Sequence, residues 1–278
     1  MELLQAVVLG IVQAITEFLP ISSSGHLILV PWLLGWDAPL LNSLAFDAAL
    51  HLGTGLALVV FFWRDLAGYV TAVRRGLTDP AARCTSAWRL AWMVAVGTVP
   101  GAILGLAAEK TIEELFRSPA RVASLLVVFS LLLYAADRFG RKVRPLDALG
   151  WRDAIIVGIA QALALMPGVS RSGVTMSVAL ALGLTREAAA RFSFLLATPV
   201  TVGAGLYKLV KAVRDGDLSA DQAPLFAAGI LTAGLVGWVV IRAFLAYVRG
   251  RSLAPFVAYR MLAGLGVLAL VALRVRPA

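Results

Sequence analysis

The sequence predicts an all-α polytopic membrane protein, with six transmembrane helices and two re-entrant helical hairpins arranged as an inverted repeat. Three observations support this prediction: an apolar composition, recurring apolar segments of helix length, and two such segments interrupted by polar turns. Of the 278 residues, 60% are hydrophobic and only 15% are charged, whereas soluble domains have about 45–50% apolar and about 25% charged residues. This composition excludes a soluble globular enzyme, a disordered chain and a disulfide-rich scaffold.

Six uninterrupted apolar segments are predicted to cross the membrane. Each contains about 17–23 residues, which is enough to span ~30 Å of hydrocarbon as a helix. The segments are 41–63, 90–108, 119–137, 192–210, 222–242 and 257–274. No basic residue precedes the first apolar stretch of the chain, so no cleavable signal peptide is expected.

Two further apolar stretches, 3–36 and 154–185, contain polar residues in their middle. Pro20 interrupts the first and Pro167 the second, and proline removes a backbone donor and disfavours a helix at the residue before it. Non-helical backbone at membrane depth persists only where protein or a wet cavity surrounds it. Both stretches are therefore predicted to be re-entrant hairpins with a polar tip.

An internal repeat relates the two broken stretches. With a shift of 148 residues, segment 10–25 (GIVQAITEFLPISSSG) aligns without a gap with 158–173 (GIAQALALMPGVSRSG), and seven of sixteen residues are identical. We therefore expect a single membrane domain, 1–278, built from repeats at about 1–137 and 150–278. Inverted repeats place polar sites where their broken helices meet.

The basic residues indicate the orientation in the membrane. The net charge is +9, and arginines cluster in two segments predicted as loops, 64–89 and 138–153, which the positive-inside rule assigns to the cytoplasm. Both termini and the predicted loop 109–117 then lie outside, the first hairpin enters from outside and the second from the cytoplasm. Further arginines assigned to the cytoplasmic face are Arg186, Arg191, Arg242, Arg249, Arg251 and Arg260. Because a membrane explains this charge, no nucleic-acid partner is expected.

Glu17 is the strongest candidate for a catalytic acid. It is the only acidic residue between Glu2 and Asp37, and a carboxylate at membrane depth costs ~2.5–3.5 kcal/mol on insertion scales, so it usually has a function. Gln13 lies four residues earlier on the same helical face, where both side chains can offer oxygens to a cation or position a water. The alternative is that Glu17 snorkels or caps the broken helix. Asp47 is either a second carboxylate near the site or the N-cap of the next helix.

Three serines and a histidine follow the first break. The hydroxyl groups of Ser22, Ser23 and Ser24, together with the unpaired N–H groups of an irregular turn, suit phosphate oxygens. His26 is a candidate general base, general acid or nucleophile, and a satisfied structural histidine is the alternative. His51 lies in an apolar run without such neighbours, and we interpret it as structural.

Arg171 is the candidate phosphate ligand of the second hairpin. It lies in a Gly/Ser turn inside the otherwise uncharged stretch 154–185, and its planar guanidinium group matches phosphate geometry. A salt bridge to Glu17 is the structural alternative, and it is compatible with function because both groups would then face one cavity. The hydroxyl groups close to it in sequence belong to Ser170, Ser172 and Thr175.

Two segments resemble the signature motifs of a known family, the bacterial undecaprenyl-diphosphatases, also called bacitracin resistance proteins. They are QAITEFLPISSSGH at 13–26 and PGVSRSGVT at 167–175. The similarity continues in FDAALHLGTGLA at 46–57, RFSFLLATPV at 191–200 and PFVAYRMLAG at 255–264, and so covers nearly the whole chain. Both motifs, in this order and at this spacing, are highly specific.

The resemblance implies hydrolysis of undecaprenyl diphosphate to undecaprenyl phosphate and inorganic phosphate, which recycles the lipid carrier of peptidoglycan and other envelope polymers. Bacitracin sequesters the same substrate, which explains resistance. The resemblance also implies a divalent cation, Mg²⁺ or Ca²⁺, a location in the bacterial inner membrane and a site open to the periplasmic side. The expected partners are the lipid substrate and the bilayer, and the assembly, monomer or homodimer, stays open.

The family's functional residues carry over by position. Glu17 is the essential acid and a metal ligand, Ser23 and His26 are catalytic candidates, and Arg171 is a catalytic residue that binds the diphosphate. The remaining diphosphate ligands are Gln13, Ser22, Ser24, Ser170, Ser172 and Thr175.

Two questions stay open at this point. Many family members have a glutamate where Gln13 stands, so a metal site of two carboxylates is in doubt, with Gln13 and Asp47 as further candidate ligands. The nucleophile is Ser23, His26 or water, and Ser23 is preferred. The alternative function is a polyprenyl-phosphate flippase, because inverted repeats with broken hairpins are also typical of transporters.

Overall fold

A computed structural model gives the fold of residues 1–215 and 220–275, and this part of the chain contains helices and no β-strand. Its α-helices are α1 (Glu2–Phe18), α2 (Ser23–Leu34), α3 (Leu44–Phe61), α4 (Trp63–Thr78), α5 (Ser86–Phe116), α6 (Pro119–Phe139), α7 (Trp151–Ala162), α8 (Arg171–Ala181), α9 (Arg186–Asp215), α10 (Ala223–Val248) and α11 (Ala254–Ala272).

Six of these helices are long and apolar enough to cross a membrane, and they coincide with the six segments predicted from the sequence. Their spans are Leu44–Phe61, Ser86–Ala108, Pro119–Phe139, Arg186–Arg214, Ala223–Val248 and Ala254–Ala272. The all-α class and the multi-pass membrane character are therefore confirmed.

The first broken stretch forms α1 and α2, and α1 ends just before Pro20, as predicted. The ring of Phe18, at the end of α1, packs against Gly237, about halfway along α10. After the turn, α2 runs back and buries Leu29 beside Val122, near the start of α6. The polar turn therefore lies inside the helical bundle.

The second broken stretch forms α7 and α8. Whereas α2 packs near the start of α6, α8 packs near its end, so the two stretches approach each other from opposite ends of α6. Along α5, Gly158 lies so close to Gly97 that a Cβ atom there would clash with the Gly97 carbonyl group. A short 3-10 turn, Leu163–Leu165, leads to the break. Then α8 runs back, and Leu180 lies against Gly140 at the end of α6.

Two buried apolar clusters contain the residues that flank the first polar turn in the sequence. In the larger cluster Phe18 contacts Phe194 edge-to-face at 5.5 Å, and Phe194 lies against Phe244. The smaller cluster contains Leu27 and Phe46. Phe18 precedes the turn and Leu27 follows it, so packing in both clusters holds the helices that meet there.

Two segments predicted as loops, 64–89 and 109–117, are mostly helical, so that prediction is wrong. In the first, Trp63–Thr78 form α4, whose Leu66 and Tyr69 pack on the core while its arginines are exposed. Apolar residues recur there at helical spacing, and this spacing decides the structure although the segment is polar overall. In the second, α5 continues almost to the end of the segment, because no glycine or proline interrupts it.

The assignment of Arg260 to the cytoplasmic face is also wrong. Arg260 was counted among the arginines at the cytoplasmic ends of helices, but it lies within α11 and is fully buried. Its side chain donates to backbone carbonyl groups of both hairpin turns, with Pro20 O and Gly168 O at 3.0 Å each and Val169 O at 3.1 Å. Its charge therefore holds the two turns together and does not report orientation.

Candidate active site

Ser22 and Ser170 occupy equivalent positions of the two hairpins and share an unusual backbone conformation. Their φ angles are 78° and 74°, in a left-handed region that residues other than glycine rarely adopt. Each begins the second helix of its hairpin: the Ser22 hydroxyl accepts the Gly25 N–H at 3.3 Å, and the Ser170 hydroxyl accepts the Gly173 N–H at 3.1 Å. Backbone strain of this kind concentrates at functional sites.

The two turns are hydrogen-bonded to each other. The Gly168 N–H donates to the Ser22 hydroxyl oxygen at 3.0 Å, and the Ser172 hydroxyl donates to the Leu19 carbonyl oxygen at 3.0 Å. Ser22 and Ser172 were predicted as diphosphate ligands, but their hydroxyl groups are used within the protein. They connect the turns and so fix the side chains that follow each break.

Glu17 lies at the centre of the site and is only 5% exposed. Arg171 Nη2 donates to its Oε1 at 2.6 Å, and the Ser23 hydroxyl and Gln13 Nε2, the latter at 3.2 Å, donate to its Oε2. The salt bridge between the two hairpins is therefore confirmed. Snorkelling or capping by Glu17 is wrong, because the carboxylate is buried among three side chains that hydrogen-bond it.

A cavity of about 200 Å³ leads away from this carboxylate. Its buried end is formed by Glu17, whose side chain is 4% exposed. Its rim is formed by the ion pair of Asp47 and Arg117, at 3.4 Å, with side chains 19% and 34% exposed. Other polar residues that line it are Ser23, Ser24, His51, Gln161, Ser170, Arg171, Thr201 and Lys208.

Six of the predicted site residues line this cavity and five do not. Those that line it are Glu17, Ser23, Ser24, Asp47, Ser170 and Arg171. Those that lie outside it are Gln13, Ser22, His26, Ser172 and Thr175. The Thr175 hydroxyl, for example, donates to the Arg171 carbonyl oxygen at 2.7 Å and lies 2.7 Å from the Ser193 hydroxyl. Thr175 thus supports the backbone of Arg171 from behind.

His26 has both ring nitrogens in contact with protein groups. Nδ1 lies 2.7 Å from the Ser22 carbonyl oxygen and therefore carries the proton, because a carbonyl group only accepts. Nε2 then accepts the Tyr259 hydroxyl, at 2.6 Å. This arrangement can orient the turn before Ser23. It does not present a nitrogen atom to the cavity.

His51 and Asp47 are one helical turn apart on α3 and both line the cavity. His51 Nδ1 donates to the Asp47 carbonyl oxygen at 2.8 Å, and Nε2 lies 3.6 Å from Glu17 Oε2. The structural interpretation of His51 rested on the absence of polar neighbours, and that premise is wrong. The capping interpretation of Asp47 is also wrong, because Ser43 is the N-cap of α3. The i, i+4 spacing of the two residues was the available sequence signal.

Two polar atoms at the centre of the site have no hydrogen-bond partner within the described residues. Arg171 Nη1 is buried and unpaired, and so is Gln13 Oε1. Since buried donors and acceptors are nearly always paired, these two atoms indicate that a ligand completes the site. An unpaired guanidinium nitrogen suits an anion, and an unpaired amide oxygen suits a donor or a cation.

The candidate metal ligands are few. Among the residues whose side chains the structure describes, no group of three or more His, Cys, Asp or Glu could hold a metal ion. Glu17 lines the buried end of the cavity, and the Gln13 amide oxygen is unpaired although Gln13 is not a lining residue, whereas Asp47 is paired with Arg117 at the rim. These donors fit only a cation whose other ligands come from the substrate, as is common for Mg²⁺ bound with phosphates.

Comparison with known proteins gives a consistent result over the whole chain. Residues 6–266 match the family described as bacitracin resistance protein BacA. A relative named undecaprenyl-diphosphatase from Pelotomaculum thermopropionicum is 46% identical over 275 residues, covering 99% of this chain and 98% of the relative. Relatives of the same name from Geobacter sulfurreducens and Geotalea daltonii are each 49% identical, covering 97% and 98% of this chain and 98% of their own. The chain therefore belongs to the bacitracin resistance protein family.

Proposed function

We propose that this protein hydrolyses undecaprenyl diphosphate to undecaprenyl phosphate and inorganic phosphate, and thereby recycles the lipid carrier and confers bacitracin resistance. The observation that carries the proposal is the full-length similarity, at 46–49% identity, to relatives named for this activity. The buried cluster of Glu17, Ser23 and Arg171 supports it, because phosphoryl transfer requires a positioned nucleophile and cations that hold the phosphate oxygens.

Arg171 is the proposed diphosphate ligand. One of its terminal nitrogens holds Glu17, and the other is buried without a partner in the described part of the chain. The unpaired nitrogen is available for a phosphate oxygen while the salt bridge keeps the guanidinium plane fixed. The backbone and side chains of Ser24 and Ser170, which line the cavity, supply further polar contacts.

Ser23 is the proposed nucleophile. Its hydroxyl donates to Glu17 Oε2, so the carboxylate can take the proton as the serine oxygen attacks the terminal phosphorus. A bond from Ser23 Oγ to phosphorus forms, and the bond from phosphorus to the bridging oxygen breaks, which releases undecaprenyl phosphate. Water then hydrolyses the phosphoserine. Attack by His26 has less support, because His26 lies outside the cavity with both nitrogens occupied.

The proposed cofactor is Mg²⁺ or Ca²⁺ shared with the substrate. Glu17 and the amide oxygen of Gln13 are the residues that would hold it, with Asp47 as a further oxygen ligand at the rim. When bound, the cation neutralises charge on the diphosphate oxygens.

We further propose that the two broken stretches are re-entrant hairpins of an inverted repeat, 1–137 and 150–278, within one membrane domain. The similar backbone conformations of Ser22 and Ser170 support the repeat, and the approach of the two hairpins from opposite ends of α6 supports the inversion. The rim residue Arg117 follows α5, on the face opposite the basic segment 64–89, which supports a cavity open to the periplasmic side of the inner membrane. A homodimer stays a prediction, which size measurement in detergent can check.

Phosphate release by the purified protein in detergent tests the activity. We expect release from undecaprenyl diphosphate, loss of release with EDTA, and recovery with added Mg²⁺ or Ca²⁺. Glu17→Gln is the inactive control, since it retains the shape of the side chain but removes the base. Absence of release, combined with movement of polyprenyl phosphate across vesicles, would instead support the flippase.

A further inference from the structure

Gln161 is a buried cavity residue whose amide has no partner. It lies near the end of α7, is 3% exposed, and lines the cavity that contains Glu17. Both its Nε2 and its Oε1 lack a hydrogen-bond partner within the described residues. A buried amide without hydrogen bonds destabilises a folded protein. Such a side chain is retained at a cost in stability unless a ligand satisfies it.

The internal repeat shows what is unusual about this position. Gln161 is the equivalent of Gln13, 148 residues earlier. Gln13 Nε2 donates to Glu17 at 3.2 Å and to Thr54 at 3.4 Å. The second copy keeps the glutamine but has Leu165 where the first copy has its carboxylate. The amide of Gln161 therefore faces the cavity without the internal acceptor that its counterpart uses.

The described residues close to the amide carry no side-chain group that could pair with it. The cavity-lining residues closest to Gln161 in the sequence are Ala164 and Leu165, and Nε2 lies 3.4 Å from the position that a Cβ atom on Gly101 would take. Gly101, Ala164 and Leu165 have no polar side-chain atom, in contrast to the lining residues Ser23 and Arg171. Apolar lining residues suit the lipid-linked end of the substrate, and the polar side chains of Ser23 and Arg171 suit the phosphate that is attacked.

We propose that the Gln161 amide binds the lipid-linked phosphate of the diphosphate. Phosphate oxygens only accept, so Nε2 donates to one of them, and Oε1 accepts from a water that accompanies the charged group. A donor at this phosphate stabilises the negative charge that develops as the bridging oxygen leaves. This inference rests on the proposed function and deepens it, because it assigns the two phosphates to different residues of one cavity.

Inhibition by each of the two products shows whether Gln161 binds the lipid-linked phosphate or the phosphate that is released. In Gln161→Met, which keeps the side-chain length and removes the polar atoms, we expect the inhibition constant of undecaprenyl phosphate to rise about 10-fold. The inhibition constant of inorganic phosphate is expected to stay within about twofold, because its proposed ligands are Arg171, Ser24 and Ser170. Gln161→Glu should raise the first constant further, since a carboxylate repels phosphate. Gln5→Met, on the half-buried surface of α1, is the matched control.

Thermal stability of the ligand-free protein provides a second readout that needs no turnover. If Gln161 serves only a ligand, Gln161→Met should unfold at a higher temperature than the wild type, while turnover falls. A lower unfolding temperature would show that the amide has a structural role, and would overturn the inference. So would an unchanged constant for undecaprenyl phosphate, or an equal rise in both constants. If the wild type releases no phosphate, the proposed function fails, and the stability of Gln161→Met still decides whether the amide is held for a ligand.

Discussion

Arg171→Lys tests whether Arg171 binds the diphosphate in addition to holding Glu17. In the wild type, Nη2 donates to Glu17 at 2.6 Å while Nη1 is buried and unpaired among the described residues. A lysine ammonium is a single point of charge, so it can hold the carboxylate or the phosphate but does not reproduce the planar fork. The substitution thus retains the charge and removes one charged hydrogen bond.

The size of the effect follows from that single bond. A hydrogen bond to a charged group contributes about 1.5–3 kcal/mol, and tenfold in rate corresponds to about 1.36 kcal/mol, so kcat/KM should fall by roughly 10- to 150-fold. The fall should be measured as phosphate release at several substrate concentrations. The unfolding temperature should change little, because the buried carboxylate keeps a cationic partner.

Arg191→Lys is the matched control for this prediction. Arg191 also donates to a carboxylate, at 2.7 and 2.9 Å from the two oxygens of Asp65, but neither residue lines the cavity. We expect its kcat/KM to stay within about threefold of the wild type, since partly exposed ion pairs contribute little. Full activity of Arg171→Lys, or an equal loss in both variants, would refute the phosphate-binding role.

Two further predictions concern groups near the site, and a third concerns the orientation of the chain in the membrane. His51→Gln removes the ring that lies 3.6 Å from Glu17, and phosphate release should fall about 10-fold with little change in folding; unchanged release would exclude a role for the ring. Tyr259→Phe removes only the hydroxyl that hydrogen-bonds the histidine of the first turn, at 2.6 Å, so kcat should fall severalfold at constant KM, whereas Tyr247→Phe should leave both unchanged. Cys84, the single and exposed cysteine, should react with a membrane-impermeant thiol reagent only after the membrane is opened; labelling in intact cells would reverse the orientation.

The sequence predicts those parts of the fold that depend on local chemistry. Apolar segments of sufficient length predicted the six spans, and Pro20 and Pro167 predicted the two breaks, because each signal acts within a few residues. The amphipathic helix α4 was missed although its signal is local, because the polarity of the segment was given more weight than the helical spacing of its apolar residues.

The candidate site depends on packing between distant segments, and its prediction was less complete. The internal repeat indicated that Glu17 and Arg171 approach each other, since equivalent turns of the two hairpins were expected to meet. Nothing local indicates that His26 faces Tyr259 on α11, or that α3 brings His51 to the carboxylate. These contacts are set by how α3 and α11 pack on the hairpins, and a single sequence does not encode them in its spacing.

Arg260 illustrates the same limit for charge. Counting arginines near the ends of apolar segments is a reliable indicator only when each side chain reaches water. The Arg260 side chain instead finds carbonyl groups that the two breaks leave unpaired, including Pro20 O and Gly168 O. The breaks were predicted, but the side chain that donates to their free carbonyl groups comes from α11, far along the chain.

The turnover of Ser23→Ala tests the central claim, attack by a serine that Glu17 activates, most directly. If Ser23 attacks phosphorus, phosphate release should fall by several orders of magnitude while the substrate still binds, because removal of a nucleophile costs far more than one hydrogen bond. Ser24→Ala, which removes a neighbouring hydroxyl from the same cavity, should lose at most the ~1–2 kcal/mol of one hydrogen bond, or roughly 10- to 30-fold. A Ser23→Ala protein within about 30-fold of the wild type would contradict the account, and would assign the attack to water.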